Sequence, residues 1–210
     1  MEDPEQVLAY AQADFEIPHN NFIQHLKAFV GNDFNGVALD LGCGSGDISW
    51  RFAHAYPNSR LDAVDGSAVM LDYAKSAACP QPVVTPVNFI LGRLPTVNLP
   101  QSYYDIILSN SLLHHLPDPQ ILWQTVKRYS HKGSHCVIMD LLRPDSLAAA
   151  QDMVTVYAGN EPYILQHDFY HSLLAAFRIE EINGQLAEAK LPFTVRQISD
   201  RHALITGTIP

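Results

Sequence analysis

Short apolar runs alternate with longer segments of helical periodicity along the 210-residue chain. That alternation predicts an α/β fold, a mainly parallel sheet flanked by helices. The first run, Val37-Ala-Leu-Asp-Leu41, ends in three glycines at alternate positions, Gly42, Gly44 and Gly46. A helical pattern then starts at Asp47, with Ile48, Phe52 and Ala55 on one face, and closes at Pro57-Asn58. Strand, glycine turn and helix N-terminus follow in the order a nucleotide cradle needs. Glycine permits positive φ and a close ligand approach with no Cβ in the way. The unpaired N–H groups of the first helical turn favour an anionic group.

Downstream, Arg60–Asp65 reads as a short strand ending in an acid, and Ser67 as the N-cap of a helix from 68 to about 77. The proline-rich stretch 79–86 is expected to be a connector. Strands are predicted at 87–92, 104–110 and 136–142. Asp118 and Pro119 signal a helix start, and this helix is expected to show Leu122, Val126 and Tyr129 on one face and to stop at Lys132-Gly133. Helices are predicted at about 146–157 and 162–177, parted by Gly159-Asn160, and again at 179–190. The chain closes with strands at 193–199 and 202–207 around Asp200-Arg201. Ahead of the first strand, Phe22, Leu26, Phe29 and Val30 recur at helical spacing, and Ile17-Pro18 reads as a break between two segments.

At 47% hydrophobic, the chain has ample core for one domain. The formal net charge is −9, and the 13 Lys and Arg form no cluster, which argues against a nucleic-acid partner. No apolar run approaches the ~18 residues of a membrane span, and no cationic leader precedes one, so no membrane partner is expected. Cys43, Cys79 and Cys136 form no C-x-x-C pair, which fits a reducing cytoplasm. His167 and His171 stand at i, i+4 without a third ligand, so no metal is expected.

Glycine spacing narrows the ligand. A dinucleotide fingerprint, G-x-G-x-x-G, would put its third glycine at position 47, where the chain has Asp47. Glycines at 42, 44 and 46 preceded by Asp40 resemble motif I, D/E-x-G-x-G-x-G, of the class I (Rossmann-like) S-adenosylmethionine (SAM) methyltransferases. Residues 104–119, with the paired His114-His115 before Leu-Pro-Asp118, resemble motif IV of the same family. The closing strand pair is similar to that family's sixth and antiparallel seventh strands. The resemblance covers about 34–208. It implies a single domain over 1–210, a three-layer α/β sandwich with a seven-stranded mixed sheet. Helices in 1–33 would form an N-terminal lid, and those in 144–177 an insert over the active face.

The resemblance also implies roles. Asp40 and the loop Gly42, Cys43, Gly44 and Gly46 would hold the methionine end, and Asp65 would accept from both ribose hydroxyls. Asp62, a competing acid, is expected to face solvent or a neighbouring helix. Gly66, Ser67 and Met70 would border adenine, although plain core packing also accounts for Met70. After Gly92 many relatives carry an Asp that accepts from the adenine amino group, whereas this chain has Arg93, which is donor-only. Either a backbone carbonyl replaces it or Arg93 covers the ring, with the Leu94 N–H still on offer. Asn110 and Ser111 would face the sulfonium. His114 or His115 is a candidate base near neutral pH, or a loop anchor, and Tyr10 is a further catalytic candidate. Substrate contacts are expected from His19, Tyr157, Asn160, Glu161, His167 and Tyr170, with surface or lid packing as the alternative.

The implied activity is in-line methyl transfer from SAM to a small-molecule O, N or C nucleophile. Two rivals remain, a non-catalytic SAM-binding regulatory or scaffold subunit and an NAD(P)-dependent oxidoreductase. Asp47 and the closing hairpin argue against the second. The oligomeric state, monomer or homodimer, stays open.

Overall fold

A computed structural model describes residues 4–13, 15–76 and 85–210. The apolar runs become β1 (Val37–Leu41), β2 (Arg60–Asp65), β3 (Val87–Leu91), β4 (Tyr104–Asn110) and β5 (Ser130–Leu141), followed by β6 (Thr194–Gln197) and β7 (His202–Thr208). They form one sheet in the order β3-β2-β1-β4-β5-β7-β6. β1 to β5 run parallel, and β7 is antiparallel to both β5 and β6. Strand order therefore reverses between β1 and β4, and in such sheets ligands bind where the strand tips diverge.

Helices α1 (Pro4–Gln12), α2 (Glu16–Val30), α3 (Asp47–Ala55), α4 (Ala68–Ser76), α5 (Gln120–Arg128), α6 (Leu147–Ala158), α7 (Tyr163–Ala175) and α8 (Ile179–Ala189) complete the described residues. Alternation along β1 splits the core in two. Leu39 and Leu41 join Ile107, Trp123, Ile138 and Ile182 on one face. Ala38 joins Phe22, Phe52, Tyr56 and Ile106 on the other. α6 and α7 share a smaller cluster with Leu141, in which Ala150, Val154 and Leu173 are buried. No helix among the described residues is long and apolar enough to cross a membrane.

Three local expectations need correction. The break between the first helices falls at 13–15, and Pro18 sits inside the first turn of α2. A first-turn N–H has no intrahelical partner, so proline is tolerated there. α5 stops at Arg128, not at Lys132-Gly133, because β5 already begins at Ser130. Residues 131–134 bulge out of that strand: Tyr104 pairs with Ser130, but Ile106 pairs with His135. Gly133 takes φ +91° in the bulge and donates its N–H to the Ile209 carbonyl. Asp62 is buried within the sheet, accepting from the Tyr104 hydroxyl (2.7 Å) and the Asn88 amide (2.8 Å). The expected connector at 79–86 lies mostly outside the described residues, as does Cys79.

The turn after β1 gives the first prediction. Gly46 holds φ +83°, and a Cβ there would stand 2.9 Å from the Ala74 Cβ and 3.2 Å from Phe89. A left-handed non-glycine residue alone costs ~1–2 kcal/mol, so Gly46→Ala should lower stability by at least that amount. Urea unfolding checks it: the midpoint drops at unchanged slope.

Candidate functional site

A cleft of about 570 Å³ opens at the tips of β1, β2 and β4. Its floor is the glycine turn, where Gly42, Gly44 and Gly46 take φ of +74°, +52° and +83°. Val64, on the neighbouring strand, accepts from the Gly42 and Cys43 N–H groups and pins the turn down (2.8 and 3.0 Å). Asp65 then ties two turns together, accepting from Gly44 N–H at one oxygen and Ser67 N–H at the other (both 2.8 Å). A carboxylate has about four acceptor positions, so two remain for a pair of ligand hydroxyls. Asp65, Gly66, Ser67 and Met70 all line the cleft, as do Gly92, Arg93 and Leu94.

Two buried acceptor groups mark the end under β1 and β4, one bonded once and one unpartnered. Asp40 is 1% exposed and receives one hydrogen bond, from the Ser49 hydroxyl (2.6 Å). Burial pushes its carboxyl up to about 7; Ser49 opposes this and the Asp65 charge adds to it. Burial, reinforced by Asp40 and Asp65, likewise lifts the Cys43 thiol well above its usual range. Asn110 Oδ1 is buried with no partner. Beside it Ser111, a non-glycine residue, holds φ +58°, the kind of strain that gathers at functional sites. A buried carboxyl at the edge of ionisation and an orphaned amide oxygen together suit a cationic N–H donor such as a primary ammonium.

The N-terminal helices reach this cleft. Tyr10 and His19 are part of its wall. His19 Nδ1 lies 2.5 Å from Asp47 Oδ2, and Arg51 Nε donates to the same oxygen (2.7 Å). Burial pushes the Asp47 carboxyl up, but the bonds and charges of His19 and Arg51 outweigh it and hold it below the usual range. Tyr10 and His19 flank Phe15, with ring centroids 4.9 and 5.3 Å apart. Burial, then the charges of Asp47 and Asp65, push the Tyr10 hydroxyl up to about 12, so it keeps its proton. Gln6 on α1 donates to Asp168 on α7, joining the N-terminal helices to the later helical pair.

The two histidines part company. His114 is buried with Nδ1 2.7 Å from Asp140 Oδ1, outside the cleft wall. Asp140 also accepts from the Leu113 and Leu141 N–H groups (both 2.8 Å), so the carboxylate is an acceptor and His114 Nδ1 carries the proton. His115 stands at the mouth, its ring 4.0 Å from that of His114. Burial, and then the His114 charge, push its pKa down, and the Asp140 charge opposes the push.

The expected contacts on α6 and α7 lie elsewhere. Tyr157 donates to Asp200 and is covered by the Arg201 guanidinium, 3.4 Å from the ring centre. Asn160 and Glu161 form the turn between the two helices, where the Glu161 carbonyl accepts from Gln166 (2.8 Å). His167 lies between Tyr163 and His171, and Tyr170 packs on the small α6–α7 cluster. None of Tyr157, Asn160, Glu161, His167 or Tyr170 lines the cleft, because α6 and α7 turn their inner faces to each other and to Leu141. No group of three or more metal-ligating side chains forms among the described residues. Sequence reasoning missed Asp47 and Asp140. Each carried a signal: an acid in place of a third glycine, and an acid ending an apolar strand, as Asp65 does.

Comparison with known proteins agrees with this geometry. Residues 38–133 match the family described as a methyltransferase domain, the stretch that holds the glycine turn, Asp65 and the Asn110–His115 segment. A malonyl-[acyl-carrier protein] O-methyltransferase from Bacillus cytotoxicus is 31% identical over 101 residues, 48% of this chain and 33% of that protein. One from Ilyobacter polytropus is 33% identical over 99 residues, 47% of this chain and 35% of that protein. The match thus spans about a third of these relatives' length. A SAM-dependent methyltransferase from Aquifex aeolicus superposes over 100% of both chains with a TM-score of 0.71 at 16% identity. A plantazolicin methyltransferase solved with a pentazolic desmethyl analogue and S-adenosylhomocysteine (SAH) covers 92% of this chain and 86% of its own, with a TM-score of 0.69 at 16% identity. At those identities the likeness is one of fold.

Asp40 supplies a prediction about pH. Its folded pKa, about 7, lies above the ordinary 3.8, so between about pH 4 and 7 the folded state holds a proton that the unfolded state has lost. Its contribution to stability is therefore lost as pH rises through that window. The histidines whose pKa values are lowered, His25, His115 and His202, act in the opposite sense. The comparison is thus between wild type and Asp40→Asn: urea midpoints from pH 5 to 8 should show wild type falling relative to the variant. Parallel curves would mean that Asp40 is ionised throughout.

Proposed function

We propose that this chain, a class I SAM-dependent methyltransferase by its matched domain and its fold, methylates a small-molecule acceptor bound over the β1–β4 cleft. One observation carries the reading: a single cleft offers a fixed diol acceptor, Asp65, and two donor-hungry groups, Asp40 and Asn110. A ribose and an α-ammonium are the complementary groups of one ligand, and the glycine turn keeps the floor open for it. SAM, when bound, supplies a methyl group already activated on sulfur.

The chain's own residues then have limited work. Asp65 fixes the ribose, Asp40 and Asn110 fix the amino group, and the left-handed Ser111 brings backbone close to the reacting end. Tyr10, His19 and His115 enclose the remaining wall and exclude water, so that acceptor and methyl carbon stay aligned. His115, neutral near pH 7 because its pKa is lowered, is placed to take a proton from an acceptor that must lose one. Tyr10 keeps its proton and serves as a donor. His114 acts through its bond to Asp140, holding the turn that presents His115. α1 and α2 form the cover over the acceptor, braced against α7 by Gln6 and Asp168.

The acceptor is read as small because the cleft holds only about 570 Å³ and the chain carries a net charge of −9. Of the curated relatives, an (S)-coclaurine N-methyltransferase supports this reading, whereas the malonyl-[acyl-carrier protein] O-methyltransferases are named for an acyl group on a carrier protein. The decisive experiment is incubation with methyl-labelled SAM and a metabolite extract. A labelled small product supports the proposal. SAM binding without any product in extracts of several sources would favour the scaffold role instead. For the ribose contact, Asp65→Ala should weaken SAM binding in calorimetry by roughly 1.5–3 kcal/mol, the loss of a charge-assisted hydrogen bond. An unchanged affinity removes Asp65 from the site.

A further inference from the structure

The cleft has a second end, formed where β3 finishes and α4 begins by Gly66, Ser67, Met70, Gly92, Arg93 and Leu94. On the reading above, Asp65 takes the ribose and Asp40 and Asn110 the amino-acid portion, so the purine falls to this end. Its side chains are unusual for reading adenine. The acids lining the cleft among the described residues are Asp40, Asp47 and Asp65, and each is engaged elsewhere. The Ser67 hydroxyl already accepts from Met70 N–H (3.3 Å). Among the described residues, no carboxylate at this end is left to accept from the 6-amino group.

What the end does hold is a guanidinium on a stem laid against glycine. A Cβ on Gly66 would meet Arg93 Cγ at 3.1 Å and Nε at 3.5 Å, so the stem rests on the backbone of the residue following Asp65. Guanidinium is donor-only, so facing an amino group edge-on it sets donor against donor. Over a ring face it is attractive, and its planar shape suits a planar base. Buried Met70 and half-buried Leu94 add apolar surface at the same end.

We propose that Arg93 holds the purine by stacking its guanidinium on the ring face, so that the site reads the base by shape and π-surface and not by its 6-amino group. The inference rests on the SAM reading. The test separates the two and needs no acceptor. Calorimetry compares SAH with S-inosyl-L-homocysteine, its analogue carrying a 6-oxo group. Wild type should prefer SAH by less than about tenfold, since among the described residues no carboxylate is left to read the 6-amino group, and only backbone groups such as the Leu94 N–H meet the proton that ring N1 gains in the 6-oxo form. Arg93→Ala should weaken both alike, by roughly three- to thirtyfold. Arg93→Lys keeps the charge without the plane and should recover little of the loss. Arg93→Asp introduces an acceptor and should favour SAH by about tenfold or more. Melting temperatures of the three variants are measured alongside, so that a loss of binding is separated from a loss of folding. A wild-type preference for SAH of about tenfold or more would overturn the statement that the 6-amino group goes unread, and no effect of Arg93→Ala, or full recovery by Arg93→Lys, would overturn the stacking role. No binding of either nucleoside to wild type would overturn the SAM reading and this inference together.

Discussion

The arrangement depends on one clamp, the Asp65 carboxylate held between the N–H groups of Gly44 and Ser67. It lies at the tip of β2, but its partners belong to the turn after β1 and the start of α4. Two backbone donors to an ionised acceptor are strong because the acceptor is charged. They fix the separation of the two turns that floor the cleft. They also orient the carboxylate, so that its unused lone pairs face the opening. Without the clamp, the left-handed glycines at 42, 44 and 46 would be free to sample other conformations, at the entropic cost glycine carries.

Among the described residues the cleft gathers three acids, and each is balanced differently. Asp65 has backbone donors, Asp47 has Arg51 and His19, and Asp40 has a proton poised near neutrality. This division matters because like charges in low dielectric repel strongly. Only Asp40 is left to respond to a ligand. A cationic group arriving beside it favours the ionised form, so binding and proton release are linked at that residue. The charge that burial makes costly in the empty cleft is thereby stabilised in the filled one.

Much of this was legible in the chain. β1, the glycine turn and α3 follow from an apolar run, spaced glycines and one amphipathic face, all local signals. The closing β6–β7 hairpin and the α6–α7 pair followed for the same reason. What failed was governed by distant partners. α5 was read four residues too long because the Ser130 strand begins through pairing with Tyr104, which no local pattern reveals. Asp62 was misplaced because the donors that allow its burial, Tyr104 and Asn88, stand on other strands. The polar residues of α6 and α7 left two readings open, ligand contact or surface and lid packing, and they lie off the cleft lining because the inner faces of the two helices meet each other and Leu141.

The histidine pair shows most clearly where sequence reading ends. His114 and His115 are identical in type and adjacent in position, so composition and spacing cannot rank them. The structure places them on a 3-10 turn, Leu113–His115, where successive side chains diverge by about 120°. One must then point inward and its neighbour outward. Asp140 decides which, by accepting from His114 and from the Leu113 N–H, and so fixing the turn's rotation about its own axis. A buried acid at the end of β5 thus sets which imidazole reaches the mouth of the cleft, although it never touches that imidazole's solvent-facing edge. The division between anchor and cleft-facing group is a property of the turn's geometry and one carboxylate, not of histidine itself.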